Sequence, residues 1–389
     1  MKTKTMTLNM GPQHPATHGV LRVVLELDGE RVLEAKPVIG YLHTGIEKTA
    51  ESKNYHKVVP LTDRMDYLAP MSNNLGYCLA VEKLLDIEVP PKAQWARVLL
   101  AELTRINSHL VWVGTHALDI GAMSMALYGF RERENIIGIY ELVSGQRMMS
   151  SYFQIGGLMN DLPENFNEEV QKVLDILPSR LAEYEDLLNQ NRIWRNRTIG
   201  VGVLSKEEAF KSSVTGPMLR ACGVEHDLRK AIPYSSYDKF DFMIPTQQEG
   251  DVFARYLVRM AEMYESVKIA QQALDGLPEG DYRADVPGVV LPPKEKVLTQ
   301  MEAMIFHFKI ISEGFHPPKG EVYVGIESPK GEIGFYIVSN GDTKPYRMRV
   351  RPPSFINLSS LNKICKGGML SDVIANIGSV DIVLGEVDR

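Results

Sequence analysis

Alternating hydrophobic and polar positions near the start of the chain predict a β-hairpin. Residues 20–27 and 31–39 are rich in β-branched and other apolar side chains, and Asp28-Gly29-Glu30 between them is typical of a hairpin turn. Residues 11–19, which precede the hairpin, contain two prolines and two glycines and are expected to form a stiff loop.

The hydrophobic spacing changes between about positions 60 and 150, where it predicts helices. Leu99, Leu103, Ile106, Leu110 and Val113 recur three or four residues apart, as on the buried face of a helix.

Residues 110–130 are apolar enough to resemble a membrane span, since only His116 and Asp119 are strongly polar. An aspartate near the centre of a span costs roughly 2.5–3.5 kcal/mol, and the glycines in this stretch weaken a continuous helix. We therefore expect two buried helices with a break near Gly121; a membrane span is the alternative.

The remaining pattern predicts an α+β fold, with a central helical bundle and small N-terminal and C-terminal β-sheets. One integrated domain is expected, in which residues 1–58 form the hairpin region, 59–312 the helical core and 313–389 the C-terminal strands and tail. Further helices are expected from Asp161 towards Asn191 and over 250–277 and 294–311, an irregular excursion near 198–245, and strand pairs over 321–350 with a turn at Asn340-Gly341.

Composition narrows the functional class. The chain has 389 residues, of which 44% are hydrophobic and 24% charged, and a net charge of −6. These values exclude wholesale disorder and disfavour nucleic-acid binding. The three cysteines, without a CxxC motif, argue against a cysteine-rich metal site or a disulfide framework, so a reducing compartment is expected. No secretory signal is recognised at the start of the sequence.

Two histidines lie four residues apart in the first loop. His14 and His18 could bind a ligand or act as acid–base groups, or they could simply bond to backbone carbonyls.

A second polar cluster lies at Asp63, Arg64, Asp66 and Tyr67, before an apolar run. Acidic residues suit the start of a helix, but a cation there is unfavourable unless an anionic group faces it. The cluster is therefore either a helix cap or part of a site.

Asp119 forms a third candidate, together with His109 and His116. Metal binding is conceivable, although no HExxH motif accompanies these residues. Alternatively, backbone amides at the Gly121 break satisfy the aspartate.

The fourth cluster comprises residues 327–332 and the basic residues of 346–355, which are interpreted as a solvated face. The sequence contains no phosphate-binding glycine loop and no GxSxG motif, which argues against nucleotide-binding and serine-hydrolase functions.

Taken together, these clusters resemble the D-type subunit family of the respiratory NADH–quinone oxidoreductase, complex I. The matching stretches run in order through nearly the whole chain and include GPQHPATHGVLR, GYLHTGIEK, LTDRMDYL, ELTRINSHL, SVTGPMLRACGV, ESPKGEIGFYIVS, RPPSFINL and GEVDR. The chain is identified as a member of that family on this basis.

The family is in turn similar to the large subunit of nickel–iron hydrogenases, which hold their metals with four cysteines in RxCxxC and DPCxxC motifs. This sequence has Asp66, Ala69, Val383 and Glu386 at those positions. Without thiolates it cannot hold nickel and iron in that way, and the emptied pocket is expected to form a cavity for an organic headgroup.

The resemblance implies that this chain helps to form a quinone site in a proton-translocating enzyme and is not active alone. His18 and Tyr67 would donate hydrogen bonds to the two carbonyls of a ubiquinone or menaquinone headgroup, and Asp119 would pair with His18. His14 would shape the loop. No metal would be bound by this chain.

The resemblance also implies partners. Electrons would come from a four-iron four-sulfur cluster on a neighbouring subunit, with Arg64 beside it. The expected neighbours are the terminal-cluster subunit, the C-type subunit, a ferredoxin-like subunit and the membrane heel subunit, on the cytoplasmic side of the bacterial inner membrane.

The sequence departs from the family pattern at three places. Met148-Met149 follows SGQR where many relatives have a histidine, so reduction of the cluster is expected to couple only weakly to protonation. Asp381-Ile382 replaces an Asp-Pro pair, and Lys330 stands where hydrogenases have an arginine.

Two alternative functions remain open. The chain could be a structural scaffold, with another chain binding quinone, or the equivalent subunit of a ferredoxin-fed relative of complex I.

Overall fold

The computed structural model describes residues 5–15 and 19–389. The strands are β1 (Met6–Met10), β2 (Arg22–Asp28), β3 (Arg31–Val38), β4 (Phe153–Gln154), β5 (Gly157–Leu158), β6 (Gly320–Ser328), β7 (Gly331–Ser339) and β8 (Arg347–Arg351). The helices are α1 (Ile46–Ala50), α2 (Tyr55–Thr62), α3 (Pro70–Leu85), α4 (Pro91–Ile120), α5 (Met123–Ser144), α6 (Phe166–Leu188), α7 (Arg192–Thr198), α8 (Lys206–Lys211), α9 (Pro217–Arg220), α10 (Leu228–Ala231), α11 (Val252–Asp275), α12 (Lys294–Thr299), α13 (Met301–Ser312), α14 (Pro353–Leu358), α15 (Leu361–Cys365), α16 (Leu370–Val380) and α17 (Leu384–Asp388). The mixed α+β class is confirmed.

The predicted N-terminal hairpin is confirmed, and β1 extends it into an antiparallel sheet in the order β1-β2-β3. Alternate β2 residues, Val23, Leu25 and Leu27, are fully buried. They pack in one hydrophobic cluster with residues of α14 to α17, so the first strands and the last helices share a core. The division into three regions stays a prediction.

The longest helix, α4, passes through the centre of the molecule and packs mainly against α5 and α11. Its end confirms the predicted break, since Gly121 has a φ of 108°, which favours glycine.

The second helix of the predicted pair, α5, is less buried than expected. Leu118, Met123, Leu127 and Phe130 are exposed at the α4–α5 corner. Of the helices in the described part of the chain, none combines the length and apolar character that a membrane span requires.

Two helix predictions need correction. The helix expected from Asp161 begins only at Phe166, since the Asp161 carboxylate accepts the Leu162 N–H and pairs with Lys92 instead. The helix expected over residues 294–311 is divided into α12 and α13, because Gln300 between them is extended.

The C-terminal strands form an antiparallel sheet in the order β6-β7-β8, as predicted from the pattern over 321–350. The β6–β7 turn, however, is not the solvated face that was expected. Glu327, Ser328 and Lys330 are each no more than 3% exposed, because the turn inserts into the helical core. Tyr346, Arg347 and Arg349 are exposed, as expected.

Candidate functional site

The segment between α2 and α3 carries the four polar residues of the second cluster that the sequence singled out. It is a series of turns rather than the helix start that was expected. Asp66 holds its shape, because its Oδ1 atom accepts the Leu68 N–H at 3.1 Å and its carbonyl oxygen accepts from the Asn73 side chain. Tyr67 is consequently half-buried.

Asp63 and Arg64 lie at the end of α2, not at the beginning of a helix. The Asp63 carboxylate accepts hydrogen bonds from the Ser151 hydroxyl and N–H, at 2.6 and 3.1 Å, and burial raises its pKa to about 6. The exposed Arg64 donates to the carbonyl oxygen of Pro60. A cation is favoured at a helix C-terminus, so this arginine needs no anionic partner to explain its position.

Directly behind Tyr67 lies a buried ion pair. The Lys330 Nζ atom is 3.0 Å from Asp66 Oδ2 and donates to Ser108 Oγ at 2.8 Å. Asp381, just after α16, lies 3.9 Å from the same ammonium group. Burial disfavours the Lys330 ammonium, but these carboxylates together raise its pKa, so the lysine is charged.

The last helix closes this cluster. A Cβ at Gly385 would lie 2.7 Å from the carbonyl oxygen of Met65, so α17 packs directly against the turn that carries Tyr67. Glu386, the next residue, is fully buried, and its Oε2 atom accepts the Ser354 N–H at 3.1 Å. Burial, reinforced by the Asp66 carboxylate, raises the pKa of Glu386 to about 8.

The four positions that correspond to hydrogenase cysteines are all buried: Asp66, Ala69, Val383 and Glu386. Lys330 pairs with Asp66, and its charge partly offsets the raised pKa of Glu386, so these charged residues form a buried ionic cluster. The predicted cavity for a headgroup stays a prediction. Within residues 5–15 and 19–389, no group of three or more His, Cys, Asp or Glu side chains is arranged to hold a metal ion.

Asp119 lies on a different element, one residue before the end of α4, and is half-buried. The same end of α4 packs against α16, where Trp112 Nε1 donates to the carbonyl oxygen of Gly378 at 2.7 Å. The chain continues from α16 through Asp381 into α17. The C-terminal half of α4 and the turn that carries Tyr67 thus both contact one continuous segment, residues 370–388.

His18 lies outside the described residues, so its predicted role stays a prediction. Gly19, the next residue, is near α17, because a Cβ there would lie 3.4 Å from Leu384 Cδ1. A Cβ at Gly385 would lie 3.6 Å from Tyr67 Cδ1. The short helix α17 is therefore close to both Gly19 and Tyr67. His14 is exposed and forms a backbone bridge with Gly19, as suits a residue that shapes the loop.

Sequence reasoning missed a second buried charge network. Arg220 bonds Glu262 at 2.8 Å and Glu327 at 2.7 Å, while Arg229 lies 3.1 Å from Glu102. Despite burial, these arginine contacts lower the pKa of both Glu262 and Glu102, that of Glu262 to about 2.

His109 belongs to this network. Its Nε2 atom is 3.0 Å from Glu262 Oε2, and burial lowers its pKa. A signal was present in the sequence, since Glu102, Arg105 and His109 occur at helical spacing beside the apolar stripe of α4. Charged residues on a buried face require partners, which indicates an internal ionic network.

Comparison with known proteins gives consistent results. The family described as "Respiratory-chain NADH dehydrogenase, 49 Kd subunit" matches residues 119–389. The chain is 62% identical to a D-type NADH-quinone oxidoreductase subunit of Solibacter usitatus, over 99% of this chain and 94% of that protein. It is 59% identical to the D-type subunit of Geotalea uraniireducens, over 100% and 99%, and 59% identical to a D-type subunit of Chloroflexus aurantiacus, over 100% and 95%.

Proposed function

Since the chain belongs to the family of the 49 kDa subunit of the respiratory-chain NADH dehydrogenase, we propose that it forms part of the quinone headgroup site of such an enzyme. In this proposal Tyr67 and His18 donate hydrogen bonds to the two quinone carbonyls, and Asp119 orients His18 and keeps it charged. The headgroup lies on the accessible side of the half-buried Tyr67, because the buried ionic cluster of Lys330, Asp66 and Glu386 lies on its other side.

The environment of Tyr67 keeps its phenol in the protonated form. Burial raises the pKa of the phenol and the Asp66 carboxylate raises it further, while Lys330 opposes the shift. The phenol is therefore protonated at neutral pH and can release its proton when negative charge develops on the quinone. At an effective dielectric constant of about 20, a unit charge about 4 Å away contributes about 4 kcal/mol.

In the same proposal an iron–sulfur cluster on a neighbouring subunit supplies the two electrons. Arg64 is exposed and lies close to Tyr67 in the chain, so it can face a partner chain while the tyrosine faces the substrate. The neighbouring subunits would be the terminal-cluster subunit, the C-type subunit, the ferredoxin-like subunit and the membrane heel subunit, at the cytoplasmic side of the membrane.

The observation that carries the proposal is the full-length similarity to quinone oxidoreductase subunits, combined with a half-buried tyrosine on a packed ionic support. The test uses Tyr67→Phe and His18→Ala in the assembled complex. Each is expected to lower quinone reduction at least tenfold, or about 1.4 kcal/mol in transition-state stabilisation. Reduction of artificial acceptors upstream should be unchanged.

The exposed Tyr346→Phe provides a matched control that should retain full activity. Full quinone reduction in both site variants would instead favour the scaffold function. The ferredoxin-fed alternative is decided by the donor that reduces the purified complex, NADH or ferredoxin.

A further inference from the structure

The cluster behind Tyr67 contains more acidic than basic groups. Among residues 5–15 and 19–389, the cations are Lys330 and Arg259, whose Nε lies 3.8 Å from Asp381. The acids are Asp66, Asp381 and Glu386, all of them buried. Two cations facing three carboxyl groups leave one negative charge uncompensated, unless one carboxyl group keeps a proton.

Contacts within the cluster indicate which carboxyl group is neutral. Asp66 pairs with the lysine ammonium, and Asp381 lies between Lys330 and Arg259. Among the described residues, Glu386 has no cation within salt-bridge distance, and its Oε1 atom has no hydrogen-bond partner. The groups facing it from the packed elements are Asp66 on the turn before α3, Lys330 on the β6–β7 turn and Ser354 on α14, while Asp381 after α16 contacts the same Lys330.

We propose that Glu386 is a positioning residue for Tyr67, in that it holds a proton and thereby keeps the charge behind the phenol balanced. Loss of this proton adds an unpaired carboxylate behind Tyr67. Because Tyr67 already responds to the charges of Asp66 and Lys330, the added charge makes its phenol a poorer proton donor. This inference rests on the proposed function, because it assigns the control of the same proton donor.

The sign of the pH dependence follows from the protonation of Glu386. Its pKa is raised to about 8, so the active, neutral form dominates below that pH and is lost as the pH rises through it. Wild-type quinone reduction should fall about tenfold between about pH 7 and about pH 9.

The first test is Glu386→Gln in the assembled complex, because glutamine keeps the shape and the neutral charge. This variant should retain activity at about pH 7 and lose less than about twofold by about pH 9. Asp66→Asn is the second variant. It leaves two carboxyl groups facing two cations, so Glu386 can ionise without an uncompensated charge, and the alkaline decline should be weaker than in the wild type.

Glu51→Gln is the matched control, since the hydrogen bond from Lys48 lowers the pKa of that glutamate. It should keep the wild-type profile. A wild-type alkaline decline in Glu386→Gln or in Asp66→Asn would overturn the inference.

A second readout does not depend on turnover. Infrared difference spectra of the resting complex between about pH 7 and about pH 9 should show the loss of one neutral carboxyl band. That band should be absent in Glu386→Gln. If the band is absent in the wild type, the inference is wrong even where quinone reduction depends on Tyr67. If the band behaves as expected but Tyr67→Phe is fully active, the proposed function fails instead.

Discussion

The ammonium group of Lys330 lies 3.0 Å from the carboxylate of Asp66, and both side chains are at most 1% exposed. The two residues are far apart in the sequence, one in the β6–β7 turn and the other in the turn before α3. This contact fixes the segment that carries Tyr67 against the C-terminal sheet.

Removal of the lysine charge should destabilise the subunit strongly. Lys330→Met leaves Asp66 and Asp381 without this counter-ion, and breaking a buried ion pair from one side costs about 3–5 kcal/mol. We expect a lower yield of assembled complex and a lower temperature of thermal inactivation. The double variant Lys330→Met/Asp66→Leu should recover part of this loss, since both charges are then absent. Equal destabilisation of the single and double variants would contradict the prediction.

The sequence alone was sufficient to predict those elements that are specified by residues close together in the chain. The N-terminal hairpin follows from alternation and a turn at Gly29, and the end of α4 follows from a glycine after an apolar helix. The interpretation of Asp63 as a cap at the start of a helix was wrong, since it lies at the end of α2; acidic residues before an apolar run satisfy the capping rule wherever they occur. The shape of the turn before α3 depends on Asn73 and on the packing of α17, which local rules do not contain.

The buried ionic cluster around Lys330 also could not be predicted from local sequence patterns. Lys330 lies in a Ser-Pro-Lys-Gly turn that has the composition of an exposed loop, and only tertiary packing buries it. Tyr67 and Asp119 were selected through family resemblance, because nothing in their spacing shows that residues 370–388 contact both α4 and the turn that carries Tyr67.

The close approach of α17 to the tyrosine turn gives a second prediction. Gly385→Ala introduces a Cβ 2.7 Å from the Met65 carbonyl oxygen and 2.8 Å from that of Arg64, so the helix must move away. Such overpacking costs about 1–3 kcal/mol, and quinone reduction should fall more than electron transfer to upstream acceptors.

Gly138→Ala is the matched control, because a Cβ at this helical glycine meets nothing within 4 Å. It should leave activity unchanged and stabilise α5 by about 1 kcal/mol. Equal thermal inactivation of the two variants would show that α17 has room to adjust.

Asp119→Asn tests the carboxylate at the end of α4. Asparagine keeps the shape but removes the charge that, in our proposal, orients His18. Coupled quinone turnover should fall at least tenfold, or about 1.4 kcal/mol, while the subunit still assembles. The measurement is NADH-driven quinone reduction in membranes, together with the amount of assembled complex. Unchanged turnover would remove Asp119 from the mechanism.

Arg64 provides a prediction that is independent of the quinone. If its exposed guanidinium lies beside the electron-donating cluster, Arg64→Met removes a positive charge that stabilises the reduced state. The midpoint potential of the cluster should then become more negative, as measured by redox titration with electron paramagnetic resonance. Arg64→Lys retains the charge and should restore most of the potential. An unchanged potential in Arg64→Met would place the cluster elsewhere.

The pair Met148-Met149 predicts weak coupling between reduction of that cluster and protonation. Met148 is 38% exposed, and its sulfur lies 3.8 Å from an Arg133 nitrogen, a group that bears no proton titrating near neutral pH. The midpoint potential should therefore change little between about pH 6 and about pH 8. A histidine introduced at Met149 has a pKa in this interval and should produce a measurable slope, while Met149→Leu should not. A steep slope in the wild type would mean that another titratable group couples to the cluster.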